Sequence, residues 1–178
     1  MRFTELPLEG ARLIELERIA DARGFNARAW CQREFAEERL VTRMVQTNVV
    51  LSRCRGTLRG MHYQAPPMAE AKLVRVTRGS IYDVIVDLVP SSPTYGEWTA
   101  VTLTADLYRM VYLPEGFAHG FLTLEDDTEM TYQVSSFYSP VHSRGFRHDD
   151  PTFNIRWPHP VEMISEKDRT WPDFEGPA

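Results

Sequence analysis

The stretch Lys72-Leu-Val-Arg-Val-Thr-Arg-Gly-Ser-Ile-Tyr-Asp-Val-Ile-Val-Asp-Leu88 is rich in β-branched residues and alternates with a period of two on both sides of one glycine. This pattern is typical of β-strands. It predicts strands over 73–77 and 81–88 that flank Arg78-Gly-Ser80 as a hairpin. The chain is therefore expected to be built mainly from sheet.

Further short strands are predicted on both sides of this stretch. They are expected in residues 1–20 and over 44–50, 98–104, 110–113, 120–124 and 128–134. Residues 21–25 read as a turn, and residues 33–40 as one short amphipathic helix with Phe35, Ala36 and Leu40 on one side. Evenly spaced strands with almost no helix favour an all-β, antiparallel sandwich or barrel. A proline-rich, irregular C-terminal segment is expected to wrap over it and end near 164–168.

The size and composition favour one globular domain over residues 1–178. The net charge of -5 argues against a nucleic-acid partner. No apolar run approaches the ~20 residues of a membrane span, and the N-terminus lacks a signal-peptide pattern, so we expect no membrane partner and a cytoplasmic location. The two cysteines, Cys31 and Cys54, fit reduced thiols better than a disulfide or a zinc site.

Two of the five histidines lie in settings that suggest chemistry. His62 lies beside a predicted strand, and His119 closes the segment Pro114-Glu-Gly-Phe-Ala-His119. The spacing of that segment resembles the second motif of the cupin barrels, whose histidine points into the barrel mouth. Two imidazoles without a third ligand make a poor catalytic metal site, so no metal is expected. A structural role for each histidine stays open.

Without a metal, the plausible chemistry is proton transfer by side chains. His62 is a candidate general base, because imidazole titrates near physiological pH. Lys72 is a candidate to stabilise an oxyanion, and Tyr132 is either an opposing acid or a barrel-filling aromatic. The base needs a carboxylate to orient it. The sequence leaves that choice open among several residues: Asp83, Asp87, Asp149, Asp150 and Asp168.

The motifs taken together resemble the dTDP-4-dehydrorhamnose 3,5-epimerase family. The resemblance runs in consistent order from about Asp21 to Asp168. The matching motifs are Arg59-Gly-Met-His-Tyr-Gln64, Lys72-Leu-Val-Arg75, Arg78-Gly-Ser-Ile-Tyr-Asp-Val-Ile-Val-Asp87, Ser92-Pro-Thr-Tyr95, Pro114-Glu-Gly-Phe-Ala-His-Gly120, Tyr132, Phe137-Tyr-Ser-Pro140, Asp149-Asp-Pro151, Ile155-Arg-Trp-Pro158 and Ser165-Glu-Lys-Asp168. A match over most of the chain is far more specific than any single motif.

The resemblance implies a homodimeric, cupin-type jelly-roll barrel with one or two short helices and no metal or organic cofactor. It implies a nucleotide-linked 4-keto-6-deoxy hexose as substrate, most simply dTDP-4-keto-6-deoxyglucose, with inversion at C3, C5 or both. The family's catalytic roles fall on His62 as base, Asp168 as its partner, Tyr132 as acid and Lys72 near the enolate oxygen. Its substrate contacts fall on Arg23 and Phe25 of the neighbouring subunit and on Gln46, Asn48, Arg59, His119, Tyr138 and Lys167.

Two positions depart from the family pattern and keep alternatives open. Arg28 stands where a glutamate is common, and Ser143 stands where an acidic residue is common. Both positions lie near the nucleotide or its sugar in the family, so the base of the nucleotide is open. The alternatives are a mono-epimerase, a 4-keto sugar ketoisomerase, a non-catalytic sugar-nucleotide-binding cupin and a metal-dependent cupin oxygenase.

Overall fold

Short strands dominate the protein, here described from a computed structural model. Residues 1–176 are described, and they contain fourteen strands and two helices. In chain order the elements are β1 (Arg2–Glu5), β2 (Arg12–Glu15), β3 (Arg18–Asp21), β4 (Gly24–Ala27), α1 (Gln32–Glu37), β5 (Gln46–Ser52), β6 (Thr57–Gln64), β7 (Lys72–Arg78), β8 (Ser80–Asp87), β9 (Trp98–Thr104), β10 (Arg109–Leu113), β11 (Phe117–Thr123), β12 (Thr128–Val134), β13 (Ser143–Gly145), β14 (Met163–Ile164) and α2 (Glu166–Arg169).

Two sheets face each other and form the barrel. The first sheet has the order β1-β2-β10-β7-β12-β5, and the second has the order β13-β6-β11-β8-β9, with β14 added beside β6. Within residues 1–176, β14 on β6 is the one parallel pair, and β3 and β4 form a separate hairpin. The predicted all-β jelly roll of the cupin type is confirmed.

The space between the sheets is filled by alternate side chains of the facing strands. Val74 and Val76 of β7 point inward from the first sheet, and they meet Ile85 of β8 and Phe121 of β11 from the second. Successive side chains of a strand point to opposite faces, so the strand pattern of the sequence becomes an apolar interior. Each fully buried aliphatic or aromatic side chain of this kind contributes ~1.5–3 kcal/mol.

The predicted hairpin around Gly79 is wrong, although both of its strands exist. β7 pairs with β10 and β12 in the first sheet, whereas β8 pairs with β9 and β11 in the second. Gly79 has φ 75° and carries the chain from one sheet to the other. An added Cβ there would lie 2.5 Å from Thr128 Oγ1. Alternation identifies a strand but does not say which strand pairs with it.

The predicted short helix is present as α1, but one of its three predicted core residues is exposed. Phe35 is fully buried and packs edge-on against Phe3 and Tyr112 on the outer face of the first sheet. Leu40 is half-buried against the same cluster. Ala36 is exposed, because adjacent residues of a helix point about 100° apart.

The C-terminal segment covers the outer face of the second sheet, as predicted. Phe146, Phe153 and Phe174 pack together there in tilted and edge-on pairs, with ring centroids 4.6–5.6 Å apart. The buried Asp150 accepts a hydrogen bond from the Phe174 amide at 2.5 Å. Within this segment, β14 pairs with β6 and places α2 at the opening of the barrel.

Both cysteines are free, as the sequence predicts: Cys31 precedes α1 and Cys54 lies in the turn between β5 and β6. Neither helix within residues 1–176 has the length and apolarity needed to cross a membrane.

Candidate active site

A cavity of about 510 Å³ opens between the two sheets. Its wall contains six of the residues singled out in the sequence: Arg59, His62, Lys72, His119, Tyr132 and Asp168. Apolar side chains complete the wall, among them Val50, Phe121 and Met130. The fold thus gathers polar groups from β6, β7, β11, β12 and α2 into one apolar chamber.

A bulge in β6 turns two of these residues into the same cavity. His62 pairs with His119 of β11, and Arg59 pairs with Phe121, so three steps along β6 match two along β11. Strict alternation would place Arg59 and His62 on opposite faces. The extra residue re-aims the strand, as bulges beside active sites commonly do.

The His62 ring is held by Asp168. Its Nε2 lies 2.6 Å from Asp168 Oδ1, a distance that fits a hydrogen bond donated by Nε2–H. Nδ1 then remains to accept a proton. Of the five carboxylates left open by the sequence, Asp168 is therefore the one bound to His62 in the described structure.

Short-range contacts of the tail fix the position of Asp168. Its backbone amide donates to Ser165 Oγ at 3.1 Å, which caps α2, and the Gly60 amide lies 3.4 Å from Asp168 Oδ2. Burial alone would raise the pKa of Asp168, but the hydrogen bond and charge of His62 outweigh it and hold the pKa below its ordinary value. The carboxylate is therefore ionised at neutral pH.

The other candidate carboxylates are engaged elsewhere. Asp83 accepts from His119 Nε2 at 2.8 Å in a buried pair. Asp87 accepts from two hydroxyl groups of the following loop, and Asp149 accepts from an arginine at 3.0 Å. Only the fold shows that these carboxylates have other partners, so the spacing of residues in the sequence could not identify the partner of His62.

Tyr132 and Lys72 occupy the wall opposite His62. They belong to β12 and β7 of the first sheet, whereas His62 belongs to β6 of the second. Burial, followed by the nearby negative charge of Glu70, raises the pKa of Tyr132, with Arg59 acting in the opposite direction. Tyr132 is therefore a protonated phenol at neutral pH, facing an imidazole across the cavity.

A second pocket of about 300 Å³ shares the Tyr132 wall. Gln46, Asn48 and Tyr138 line it, and Gln46 Nε2 donates to Asn48 Oδ1 at 2.9 Å. Gln46 and Asn48 thus share one face of β5, as the sequence predicts. An extended ligand in the main cavity can reach this pocket past Tyr132.

Arg59 and Lys167 present positive charge at the edge of the site. Arg59 donates to Ser52 Oγ at 3.2 Å and lies within the cavity wall. Lys167 is exposed on α2, with its ammonium 5.2 Å from the centre of the Trp171 ring, and it is outside the residues that line the cavity.

Arg23 and Phe25 do not line the cavity of their own chain. They lie at the β3–β4 hairpin, where the Arg23 side chain is 90% exposed and bound to Asp21 at 2.6 Å. Phe25 packs edge-on against Tyr108 at 4.9 Å. Within the described range 1–176, neither lines the main cavity or the pocket beside it.

The two positions that depart from the family pattern also have local partners. Arg28 binds Glu34 at 2.5 Å, and Ser143 lies on β13 opposite Gln64 of β6. Neither position lines the main cavity.

Sequence reasoning missed two residues that contact the site. Glu70 binds the Lys72 ammonium at 3.1 Å, and Trp171 packs edge-on against the His62 ring at 6.5 Å. An opposite charge two positions before Lys72 was an available signal for Glu70. Trp171 lies in the irregular tail, where no periodicity points to a partner.

Within residues 1–176, no group of three or more histidine, cysteine, aspartate or glutamate side chains is placed to share a metal ion. His62 and His119 are cross-strand neighbours, and each is bound to its own carboxylate.

Comparison with known proteins agrees with this geometry. The family model described as dTDP-4-dehydrorhamnose 3,5-epimerase matches residues 5–176. The chain is 45% identical to a dTDP-4-dehydrorhamnose 3,5-epimerase of Methanothermobacter thermautotrophicus, over 96% of this chain and 92% of that protein. It is 37% identical to a dTDP-4-dehydrorhamnose 3-epimerase of Streptomyces niveus, over 95% and 82%.

A solved structure gives the same result for the fold. The dTDP-4-dehydrorhamnose 3,5-epimerase of Bacillus anthracis, crystallised with TDP and PPi bound, superposes with a TM-score of 0.93 at 38% identity. The match covers 97% of this chain and 99% of that one.

Proposed function

Because the chain belongs to the dTDP-4-dehydrorhamnose 3,5-epimerase family, we propose that it is an isomerase that epimerises dTDP-4-keto-6-deoxyglucose to dTDP-4-keto-rhamnose. One observation carries the proposal: a protonated tyrosine lies on one wall of the cavity, and a histidine that is held by a buried aspartate lies on the opposite wall. Inversion of a carbon requires removal of a proton from one face and delivery to the other.

His62 is the proposed base. The C4 ketone of the substrate acidifies the protons on C3 and C5, because the electron pair of the broken C–H bond moves onto the ketone oxygen as an enolate. Nδ1 of His62 takes the proton, and the ionised Asp168 stabilises the resulting imidazolium. His62 later releases that proton to solvent.

Tyr132 is the proposed acid on the other face. Its hydroxyl donates a proton to the carbon as the enolate collapses to the ketone, and the phenolate then regains a proton from water. Each centre loses one proton and gains one, so the product differs from the substrate only in configuration. The high pKa of Tyr132 keeps its proton available through the neutral range.

Lys72 is proposed to stabilise the enolate. Its buried ammonium lies on the same wall as Tyr132, where charge develops on the C4 oxygen. A preorganised donor in an apolar chamber contributes more than the same donor in water, and removal of one typically costs ~3–4 kcal/mol.

The nucleotide is proposed to extend out of the cavity across the Tyr132 wall. Gln46, Asn48 and Tyr138 line the pocket there. Arg59 and Lys167 supply charge-assisted donors of the kind that bind a diphosphate, and His119 contacts the sugar from the inner wall. Thymine is the base that we assign, since the Bacillus anthracis relative has TDP bound.

The enzyme is proposed to be a homodimer whose subunits exchange the β3–β4 hairpin. Arg23 and Phe25 are exposed and do not line the cavity of their own chain. They would complete the diphosphate and base site of the neighbouring subunit.

Inversion at C3 alone is the second candidate. The relative from Streptomyces niveus, 37% identical, is a 3-epimerase. The catalytic groups would be the same, and the angle of Tyr132 to each carbon would decide which centre is reprotonated. A purely sugar-binding role would not require an oriented base opposite an acid.

Deuterium exchange separates these functions. The protein is incubated with dTDP-4-keto-6-deoxyglucose in deuterated water, and label at C3 and C5 is followed by NMR or mass spectrometry. Label at both carbons is expected for the double epimerase. Label at C3 alone identifies a mono-epimerase, and no label with folded protein rules out the proposed substrate.

A further inference from the structure

Glu70 is a buried carboxylate that the mechanism above leaves unused. It lies in the loop before β7 and lines the second pocket, next to Tyr132. One oxygen binds the Lys72 ammonium at 3.1 Å, and both side chains are about nine-tenths buried. The other oxygen accepts from Gln64 Nε2 at 3.0 Å.

Gln64 anchors Glu70 to the barrel. It is 3% exposed, and its amide nitrogen also donates to the Met68 and Phe137 carbonyls at 2.9 and 3.2 Å. Its Oε1 accepts from the Ser139 amide at 2.6 Å. Glu70 therefore has a fixed position, set by contacts on both sides.

On the basis of the proposed function, we propose that Glu70 is a positioning residue of the epimerisation. Its carboxylate fixes the Lys72 ammonium on the cavity wall, and its negative charge beside Tyr132 disfavours the phenolate form of that side chain.

The first half of this role follows from the flexibility of lysine. An ammonium on a four-carbon stem samples many rotamers, and an oxyanion partner is effective only when it is in place before charge develops. The contact with Glu70 selects the rotamer that keeps Lys72 at the wall.

The second half follows from the charges that face Tyr132. Among titratable groups of the described residues, those around it are Glu70 before β7, Tyr138 after β12, Arg59 and His62 on β6, Lys72 on β7, His119 on β11 and Asp168 on α2. After burial, the charge of Glu70 is the largest contribution that raises the pKa of Tyr132. A phenolate beside this carboxylate would be repelled.

A phenol titration tests the electrostatic half without any substrate. Absorbance of the phenolate is followed against pH for the wild type and Glu70→Gln, and the Tyr132 component is isolated by subtracting the matching Tyr132→Phe titrations. Glu70→Gln keeps the shape and removes the charge, so the Tyr132 midpoint should move to lower pH. An unmoved midpoint overturns this half.

Steady-state kinetics test the positioning half. Glu70→Gln is expected to lower kcat roughly 10- to 100-fold, the scale of a small misplacement of a catalytic group, with KM within about twofold. Glu129→Gln is the matched control, since its carboxylate binds Thr77 on the surface, away from the cavity. An unchanged kcat in folded Glu70→Gln protein would contradict the positioning role.

Glu70→Asp, which keeps the charge on a shorter side chain, is a second variant that tests the proposal if Glu70→Gln does not fold. This variant should leave the Tyr132 midpoint near the wild-type value but lower kcat, and an unaltered kcat contradicts the inference. Absence of activity in the wild type would instead refute the proposed function, while the phenol titration still tests Glu70.

Discussion

The His62 imidazole takes its orientation from a carboxylate 106 positions later in the chain, at 2.6 Å. Asp168 is itself oriented by Ser165 and Gly60. The proposed base is therefore positioned by the C-terminal segment and the barrel together, and loss of His62 and loss of its carboxylate should have different consequences for catalysis and for stability.

Loss of His62 should remove proton abstraction altogether. His62→Ala is expected to abolish deuterium exchange at C3 and C5, whereas Tyr132→Phe should impair inversion more than exchange, because abstraction remains possible. Removal of a general base or acid typically costs 10²–10⁴-fold. His159→Ala, which changes a histidine outside the cavity wall, is the control. Exchange that persists without His62 would assign the base to another residue.

Loss of the Asp168 charge should make the free energy of unfolding depend less on pH in the acid range. The pKa of Asp168 lies below its ordinary value of 3.8, so its contribution is fully present above about pH 4 and is lost as pH falls through the folded pKa. Asp168→Asn should cost roughly 1–3 kcal/mol near neutral pH, the scale of a broken charged hydrogen bond.

Urea denaturation from about pH 3 to 7 measures this effect. The difference between wild type and Asp168→Asn should shrink below about pH 4. Glu37→Gln on the exposed side of α1 should show no such trend. A difference that stays constant with pH would mean that the charge of Asp168 contributes nothing to stability.

At the scale of the element, the bulge of β6 determines which of its side chains face the cavity. Gly60 lies at this bulge with φ 142°, and an added Cβ would approach Gly120 Cα to 2.5 Å. The close approach of β6 and β11 therefore requires glycine, and the same backbone donates toward Asp168.

Gly60→Ala should destabilise the protein by roughly 3 kcal/mol or more, from backbone strain plus a clash that the sheet cannot relieve. It should also lower kcat by displacing β6 from Asp168. Gly96→Ala is the matched control, because Gly96 also has positive φ but open space around it. Chemical denaturation of both variants measures the difference, and equal losses would show that the clash is absorbed.

Most strand positions in the barrel could be predicted from the sequence, but β6, which carries His62, was not predicted, and neither were the strand partners. The segments 98–104 and 128–134 coincide with β9 and β12. The predicted hairpin at Gly79 was wrong because β7 pairs with β10 and β12, whereas β8 pairs with β9 and β11 in the other sheet. Local alternation carries no information about a crossover between sheets, nor about the bulge that places Arg59 beside His62.

At the scale of the whole molecule, the proposed dimer divides each site between two chains. Arg23 would serve the partner, while His62 serves its own cavity. Subunits with complementary defects should then restore one another.

Mixing His62→Ala with Arg23→Ala subunits after reversible dissociation should recover activity. Random pairing places one intact site in each mixed dimer, so roughly a quarter of all sites become functional. Each variant alone should be strongly impaired. Mixed protein that stays as impaired as its components, with subunit exchange verified by mass spectrometry, would place Arg23 in its own cavity or outside any site.

The catalytic constellation could be predicted only partly from the residues themselves. Histidine spacing indicated a barrel mouth, and Lys72 and Tyr132 were candidates by chemistry. Asp168 was one of five choices until the family resemblance was considered, because a contact over 106 positions leaves no local pattern. Glu70 had a local signal, its opposite charge two positions before Lys72, whereas the contact of Trp171 with the His62 ring leaves no pattern in the sequence.

The order of elements along the chain also sets the order in which the site is acquired during synthesis. The ribosome makes the N-terminal part first, and domains begin to fold as they emerge. The strands that form both walls, from β5 to β12, all precede Asp168. A nascent chain therefore contains His62 before Asp168 has been made, so the hydrogen bond between the two can form only after the C-terminal segment has been added.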